Sequence, residues 1–572
     1  MNYEQDVLNA LETLIPPGEM LQIYKKYAAG FESMKSKKVE QQIALRTIAI
    51  LAQTTGPIRK ETLLTALALD IKEGQPNPKT YKDLNEEPVK VVRTCKHLID
   101  FNENIGVFRF CHVSVFEFFR WNNPTMDHSR IACLCLAHLC SPDFSKGPYS
   151  DVEWYNYGSL RPVLQKHPFL EFASCNWATS VRKSKKVNAE IDIQGNDTIM
   201  HFIEQLFRKA REKEGNGNLQ LSFQVYLLAM GRSMPAGVCH EHIMSYFALR
   251  QFFEVFSNKG LLDLSRRDDE GLTAIHWAIR NEMEHDEGKK ETALVIKDLI
   301  KHRGDVNAQD DEGRTPLYYA SHYGNQYAVR LLLDKGADLE IKSKDNDTAL
   351  IATCRKHHEQ VISLLVEAGA DVRVQGSAGT ALQAISLIGC CDCGKLILGQ
   401  YGEGPITENG GPFGTPLHAA AFHGHLDILK ILCIRLDIHT TNETHGSVLT
   451  VAATGWHPGK DPVPFSEIFR ELIRRGVNVN DPSGECGPAL RAAAFHGNTE
   501  LVRLLLESGA KVSLAKGPMG TAYQAADDRG HEEVKRLLLE SDPNAAAYGK
   551  DDAITPLYTT HNRVQREMLR PL

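Results

Sequence analysis

A unit of about 33 residues recurs through the second half of this 572-residue chain, and it constrains the fold more than any other feature. Two clear copies start at residues 313 and 414, where Gly-Arg-Thr-Pro-Leu-Tyr-Tyr-Ala and Gly-Thr-Pro-Leu-His-Ala-Ala-Ala lead towards apolar stretches. A repeat of this length predicts a solenoid of stacked helical hairpins, each burying its apolar face against its neighbours. Such solenoids present an extended surface, so the repeat favours protein binding over catalysis.

Alignment on the first residue of the Thr-Pro-Leu motif gives eight equivalent positions. Five of the seven steps between them lie within two residues of 33, and the two longer steps contain insertions near residues 281–291 and 456–464. The aligned positions are Thr273, Thr315, Thr348, Thr380, Thr415, Ser447, Pro488 and Thr521.

Each unit is predicted to contain two helices joined by a short turn. Thr315 is predicted to cap the first helix, because its side-chain oxygen can accept a bond from a free amide, and Pro316 fits the first turn. Gly324 is predicted to end the first helix and Gly336 the second, because glycine adopts a left-handed conformation without strain.

This pattern closely resembles the ankyrin repeat over roughly residues 265–545. Copies in which glutamine follows the motif, such as Gly-Thr-Ala-Leu-Gln-Ala from residue 379, resemble the variant units of fungal ankyrin arrays. The resemblance implies a mainly α fold, an ankyrin-repeat α-solenoid of about eight units at 261–545. Residues 546–572 would form a degenerate C-terminal cap or a partial repeat.

The segment before the repeats is predicted to be helix-rich, with helices at 21–33, 39–53 and 88–100, then a strand-like stretch at 107–113. Three helices followed by strands is the order of a winged-helix unit. Motifs at 14–24, 57–63 and 112–119 resemble the module that follows the NTPase core in fungal NACHT–ankyrin proteins. The resemblance implies a helical/winged-helix module, winged-helix-like and post-NACHT, at 1–125 and a helical linker region at 126–260.

The NTPase core itself is not expected in this sequence. Such a core needs a Gly-x-x-x-x-Gly-Lys-Ser/Thr loop whose amides and lysine hold phosphates, and no such loop occurs. ATP binding therefore does not follow from the resemblance. We expect either that the core was lost or that the chain is a fragment of a longer protein.

Composition narrows the class of protein further. The net charge of -7, without a basic stripe, argues against nucleic acid as a partner. No signal peptide and no apolar run of membrane-spanning length is found, so no membrane association is expected. Thirteen cysteines without framework spacing indicate reduced thiols. We expect a cytoplasmic protein, with the nucleus as the alternative.

Motifs for catalysis and metal binding are weak. Neither a Gly-x-Ser-x-Gly elbow nor a His-Glu-x-x-His helix occurs, so we expect no enzyme, catalytic residue, cofactor or small-molecule substrate. The cysteines at 390, 391 and 393 lack a fourth ligand at a metal-site spacing, and His240 and His242 would point to different faces of a helix. We expect no metal there. His276 and His418 are predicted to bond within and between repeats.

The candidate partner-binding residues are the pairs that precede each helix-ending position. By resemblance they face the concave groove of the array, where they would place a basic pair beside an apolar and aromatic strip. For Phe422 and Phe495 the alternative is a place in the core. The candidates are His322, Tyr323, Arg355, Lys356, Phe422, His423, Phe495, His496, Asp528 and Arg529.

The sequence therefore predicts a non-enzymatic scaffold or recognition protein that binds a protein partner through its repeats. The alternative is the C-terminal sensor part of a NACHT-type signalling NTPase whose P-loop core is absent from this chain. Two further hypotheses are an adaptor that brings a substrate to a modifying enzyme and a DNA-binding repressor acting through the winged helix.

Overall fold

The computed structural model describes most of the chain from residue 38 to residue 548. The described residues are 38–54, 56–68, 70–72, 75–77, 88–95, 98–111, 128–144, 157–184, 199–207, 217–281, 286–377, 379–402, 406, 413–457, 461, 463–484, 486–514 and 520–548. Three of the predicted segments lie outside these ranges, namely the helix at 21–33 and the motifs at 14–24 and 112–119. The predicted C-terminal cap lies outside them except for residues 546–548.

The chain forms two compact units. One consists of Met1–Asn281 with Lys301–Gly304, and the other of Glu282–Ile300 with Asp305–Leu572. None of the helices among the described residues combines the length and the apolar character needed to cross a bilayer.

The first unit begins with helices packed beside a small sheet. Three strands pair antiparallel in the order β1-β5-β4, and Phe101 and Phe108 face each other across the β4–β5 ladder with ring centroids 4.6 Å apart. Strands β2 and β3 form a separate hairpin. The elements are α1 (Lys38–Gln53), β1 (Ile58–Arg59), α2 (Lys60–Ala68), β2 (Asp70–Lys72), β3 (Gln75–Asn77), α3 (Pro88–Thr94), β4 (Ile99–Asn102) and β5 (Val107–Phe110).

The predicted helix at 39–53 is confirmed, and the one predicted at 88–100 is too long. Helix α3 ends at Thr94, and Ile99–Asn102 is a strand. The spacing of apolar residues over 88–100 suits a helix throughout. The last part nevertheless forms a strand, because β5 supplies hydrogen-bond partners for the backbone groups of β4. Strand β5 confirms the start of the strand-like stretch at 107–113.

In the described residues of the first unit beyond β5, helices predominate. Trp177 of α6 is fully buried, and its ring meets Phe247 edge-on at 5.5 Å. Residues 199–207 are also helical. The named helices are α4 (His128–Leu139), α5 (Tyr157–Lys166), α6 (Leu170–Lys183), α7 (Asn218–Ala229), α8 (His240–Tyr246), α9 (Gln251–Asn258) and α10 (Ala274–Arg280).

The repeats alternate a first helix with a second helix. The first helices after α10 are α12 (Pro316–His322), α14 (Ala349–Lys356), α16 (Ala381–Ile388), α18 (Pro416–His423), α20 (Val448–Gly455), α22 (Ala489–His496) and α24 (Ala522–Asp528). The second helices are α11 (Asp286–Lys301), α13 (Gln326–Asp334), α15 (Glu359–Glu367), α17 (Cys391–Gly399), α19 (Leu426–Leu432), α21 (Val463–Arg474), α23 (Thr499–Glu507) and α25 (Glu532–Ser541). A short hairpin of β6 (Thr441–Asn442) and β7 (Gly446–Ser447) precedes α20.

All eight aligned motif positions lie at the N-cap of a first helix, as the sequence predicts. The Thr315 hydroxyl accepts from the Tyr318 amide at 3.2 Å, and Pro316 is the first helical residue. The eight caps belong to helices α10, α12, α14, α16, α18, α20, α22 and α24.

A ladder of buried side chains ties each of three first helices to the backbone that precedes the next one. Gln383 Nε2 donates to the Gly414 carbonyl at 2.8 Å, and Thr450 Oγ1 donates to the Gly487 carbonyl at 3.0 Å. His418 Nε2 donates to the Gly446 carbonyl at 3.1 Å. These bonds satisfy carbonyl groups that burial would otherwise leave unpaired, so they fix the spacing between repeats.

One helix pair before the aligned positions has the same local features. Cys239 is the N-cap of α8, and it stands 34 residues before Thr273. His242 Nδ1 accepts from the Cys239 amide at 3.2 Å, just as His276 Nδ1 accepts from the Thr273 amide at 3.1 Å. Ala248 adopts a positive φ of 55° where other repeats place glycine. Sequence analysis missed this pair because cysteine replaces threonine and alanine replaces glycine.

Candidate protein-binding surface

Two adjacent first helices bring four of the predicted binding residues close together. His322 and Tyr323 end α12, and Arg355 and Lys356 end α14. Burial is the main cause that lowers the pKa of His322, and the charges of Lys356 and Arg355 add to it. Since His322 is neutral at pH 7, the positive charge of this group comes from the arginine and the lysine.

Arg355 and Lys356 play different structural parts. Arg355 donates to Asp347 Oδ2 at 2.8 Å and to Ser377 Oγ at 3.3 Å, so it compensates a carboxylate that is only 1% exposed. Lys356 is exposed. The lysine is therefore the cation that a partner reaches most easily, whereas the arginine also holds the turn that follows its repeat.

Sequence reasoning missed Tyr318 and Arg314, which adjoin this group. The ring of Tyr318 stacks on that of His322 with centroids 6.3 Å apart. Arg314 donates to buried Asp310 at 2.8 Å and lies over the ring of Tyr319, 5.3 Å from its centroid. The available signal was that Tyr318 stands where four of the other seven aligned repeats carry histidine or glutamine. We call Tyr318, His322, Tyr323 and Lys356 the aromatic–lysine group.

Phe422 does not form part of an exposed strip. It is 2% exposed and packs in a cluster with Phe413 and Ala419 of its own repeat and with Leu387 and Val451 of the two neighbouring repeats. His423 is half-buried, and its ring meets those of Phe413 and Phe422. The expected exposure of Phe422 is corrected, because the repeats on both sides enclose this end of the helix.

Phe495 is likewise a core residue, at 6% exposure, in contact with Cys486 and Ala525. The guanidinium of Arg529 covers its ring at 4.1 Å, a cation–π contact between successive repeats. His496 is half-buried and Asp528 is exposed. This second group is brought together in space, but its aromatic ring is covered by an arginine of the same chain.

The candidate histidines outside these groups make ordinary structural bonds. His418 is fully buried, its Nδ1 lies 2.6 Å from Thr415 Oγ1, and burial lowers its pKa to about 4. His276 Nδ1 lies 2.9 Å from Thr273 Oγ1. His242 Nε2 donates to the Arg266 carbonyl at 3.3 Å, and His240 Nε2 lies 3.1 Å from both Glu241 Oε1 and the Leu261 carbonyl.

Two models from the ankyrin repeat family match the chain. The one for arrays of three copies matches residues 251–343 and 288–376, and the one for a single repeat matches residues 414–443 and 488–516. The first match starts at Gln251, the first residue of α9, so it includes the second helix of the pair that Cys239 begins.

Named relatives share the repeat and little of their remaining length. The ankyrin repeat domain-containing protein SAT10 of Stachybotrys chartarum is 36% identical over 90 residues, which is 16% of this chain and 5% of the relative. The probable E3 ubiquitin-protein ligase XBOS32 of Oryza sativa is 28% identical over 150 residues, 21% of this chain and 30% of the relative. The chain thus spans well under two thirds of these curated relatives.

Among solved structures, the ankyrin repeat domain of human ASB11 covers 40% of this chain and 98% of its own, at 23% identity and a TM-score of 0.35. The family matches fall on the helix pairs described above. The repeating unit of this chain is therefore the ankyrin repeat.

Proposed function

We propose that the protein is a non-enzymatic scaffold or recognition protein, and that its aromatic–lysine group binds a protein partner. Ankyrin repeats are a protein–protein interaction module, which supports the general class of function. The observation that carries the site is the meeting of half-exposed tyrosine and histidine rings with an exposed lysine on two adjacent first helices. Tyrosine and cationic side chains dominate the energetics of protein interfaces.

The chemistry of the group selects the kind of partner. Asp310 and Asp347 are buried and already paired with Arg314 and Arg355, so Lys356 gives the group its accessible charge. A partner segment with a carboxylate for the lysine and an apolar or aromatic side chain for the tyrosines fits this arrangement. In the proposed mode this segment lies along the first helices, in the groove that the family resemblance implies.

The first test is affinity capture from cells that express the protein, with a double variant Tyr323→Ala/Lys356→Glu as bait. We expect the variant to recover at most about a tenth of the partner that the wild type recovers. A tenfold loss of affinity corresponds to about 1.4 kcal/mol of binding free energy. Arg330→Glu is the control, because it makes the same charge change at an exposed position of the second helix α13. Equal recovery by the double variant and the wild type contradicts the assignment.

We further propose that the first unit contains the winged-helix module. The sheet order β1-β5-β4, with α2 and α3 between β1 and β4 in the chain, supports this proposal. Its test is an experimental structure of that unit, and a different path of the chain between β1 and β4 would contradict it. The alternative function, the sensor part of a nucleotide-gated switch, rests on the sequence resemblance alone.

We also propose that the protein resides in the cytoplasm, which is a reducing compartment. All thirteen cysteines lie in the described part of the chain as thiols rather than as disulfides, and most are buried. Reduced thiols in this number are typical of proteins kept in a reducing environment. Microscopy of a tagged full-length protein tests this proposal, and a signal confined to a secretory organelle contradicts it.

A further inference from the structure

The turn between the two helices of a repeat follows one pattern at three junctions. A glycine of positive φ ends the first helix, and a histidine at the start of the next repeat's second helix lies against it. A Cβ on this glycine would lie 2.5–2.6 Å from a ring atom of the histidine. Glycine is therefore required for two reasons, which are its positive φ and the close approach of the ring. The pairs are Gly324 with His358, Gly389 with His425 and Gly497 with His531.

The same histidines tie neighbouring repeats together. Each Nε2 donates to the carbonyl two residues before the glycine, at 3.0–3.1 Å. The acceptors are the carbonyls of His322, Leu387 and Phe495.

The junction between the repeats that begin at Thr348 and Thr380 departs from this pattern at both positions. Where the glycine belongs, α14 is followed by His357, whose φ of 58° and ψ of 44° are left-handed. Where the histidine belongs, α17 is preceded by Cys390. The two departures fit each other, since a thiol is smaller than an imidazole and leaves room for a side chain at position 357. Both residues are common metal ligands.

Glu359 completes a compact set of donor atoms with these two residues. One ligand atom from each of His357, Glu359 and Cys390 lies within 4.8 Å of the other two. Glu359 Oε1 is 3.2 Å from His357 Nε2 and 3.4 Å from Cys390 Sγ. Ligand atoms on a tetrahedral zinc ion, at the usual bond lengths, are about 3.3–3.8 Å apart.

Cys393 lies one helical turn beyond Cys390 and is buried. Its sulfur is not one of the three ligand atoms that lie together. His357 and Glu359 are 44% and 58% exposed at their side chains, so an ion can reach the set from solvent. Sequence analysis found no fourth ligand near the cysteines because His357 and Glu359 come from the preceding repeat, more than 30 residues earlier.

We propose that His357, Glu359 and Cys390 form a zinc site that joins two successive repeats. A set of imidazole, carboxylate and thiol suits zinc better than magnesium or calcium, which prefer oxygen ligands. On binding, the Cys390 thiol loses its proton to solvent, and the ion bonds to one sulfur, one nitrogen and one oxygen of the protein, with water as its fourth ligand. The ion takes the structural part that the histidine–carbonyl bond takes at the three junctions described above.

The test is a calorimetric titration of Zn²⁺ into the full-length chain, stripped of metal and kept reduced by a reagent without thiols. We expect one ion per chain, and about tenfold or greater loss of affinity in His357→Gly, Glu359→Gln and Cys390→Ser. His357→Gly introduces the residue found in the three regular turns, so it removes a ligand while easing the backbone. Circular dichroism verifies that each variant is folded.

Cys391→Ser is the matched control, since its thiol lies next to the site and is not one of the three ligands. It should bind zinc as the wild type does. Co²⁺ in place of Zn²⁺ should give a thiolate-to-cobalt charge-transfer band that Cys390→Ser lacks. The proposal is overturned if the wild type binds no zinc, if the ligand variants bind it as well as the wild type, or if Cys390 and Cys393 form a disulfide and neither ion is bound.

Discussion

Three different side chains make the same inter-repeat bond at the third position of a first helix. Gln383, His418 and Thr450 each donate to a carbonyl that lies 28–37 residues further along the chain. Each is buried, so a donor of the right reach matters more than the identity of the residue. Histidine differs from the other two in one respect, which is that it can take up a proton.

His418 should make the stability of the array depend on pH. Burial lowers its pKa to about 4 in the folded protein, against about 6.5 when the chain is unfolded. The unfolded chain therefore binds the proton more readily. The stabilisation is complete above about pH 6.5 and is lost as the pH falls from there to about 4.

The variant His418→Gln isolates this effect, because Gln383 shows that glutamine can make the same bond. The free energy of unfolding of both proteins is measured in urea from pH 7 to pH 4. Over this range that of the wild type should fall by up to about 3 kcal/mol more than that of the variant. Parallel pH profiles would show that His418 does not contribute in this way.

At the scale of elements, the turns decide how closely successive repeats approach. Gly497 ends α22 with a φ of 73° beneath the ring of His531. Gly509 follows α23 in the same repeat with a φ of 86°, but open space surrounds it. Both glycines adopt a positive φ, but only Gly497 has a neighbouring side chain, that of His531, close to it.

Replacing each glycine with alanine separates these two requirements. Gly509→Ala should cost about 1–2 kcal/mol of unfolding free energy, the penalty for a left-handed alanine. Gly497→Ala should cost about 2–3 kcal/mol, because its Cβ also displaces His531 from the Phe495 carbonyl. Denaturant unfolding at pH 7 measures both. Equal losses would mean that the histidine contact adds nothing.

Local signals explain what the sequence predicted about these elements. Threonine, proline and glycine act within a few residues of themselves, so the eight aligned first-helix caps could be placed from the sequence, whereas the Cys239 cap, which lacks the threonine, was missed. Exposure could not be placed in the same way, because almost all of α18 is buried by its neighbours and Phe422 turns inward with the rest. The His357–Cys390 junction was invisible for the same reason, since contacts between repeats span more than 30 residues of sequence.

At the scale of the whole molecule, the predicted binding residues form two groups rather than one strip. The aromatic–lysine group lies on α12 and α14, and the group of Phe495 and Arg529 lies on α22 and α24. The first helices α16, α18 and α20 come between them in the array, and their predicted aromatic residue is buried. In a solenoid each repeat contacts mainly its neighbours, so the two groups can bind different partners or different parts of one.

The most direct measurement of the central claim is hydrogen exchange of the full-length chain, alone and bound to its captured partner. The proposed function predicts slower exchange in peptides covering α12 and α14. The exchange rates of the second helices α13 and α15 should not change, apart from the turns that join them to the first helices. Protection confined to the second helices, or to the first unit, would contradict the claim that the aromatic–lysine group is the binding surface.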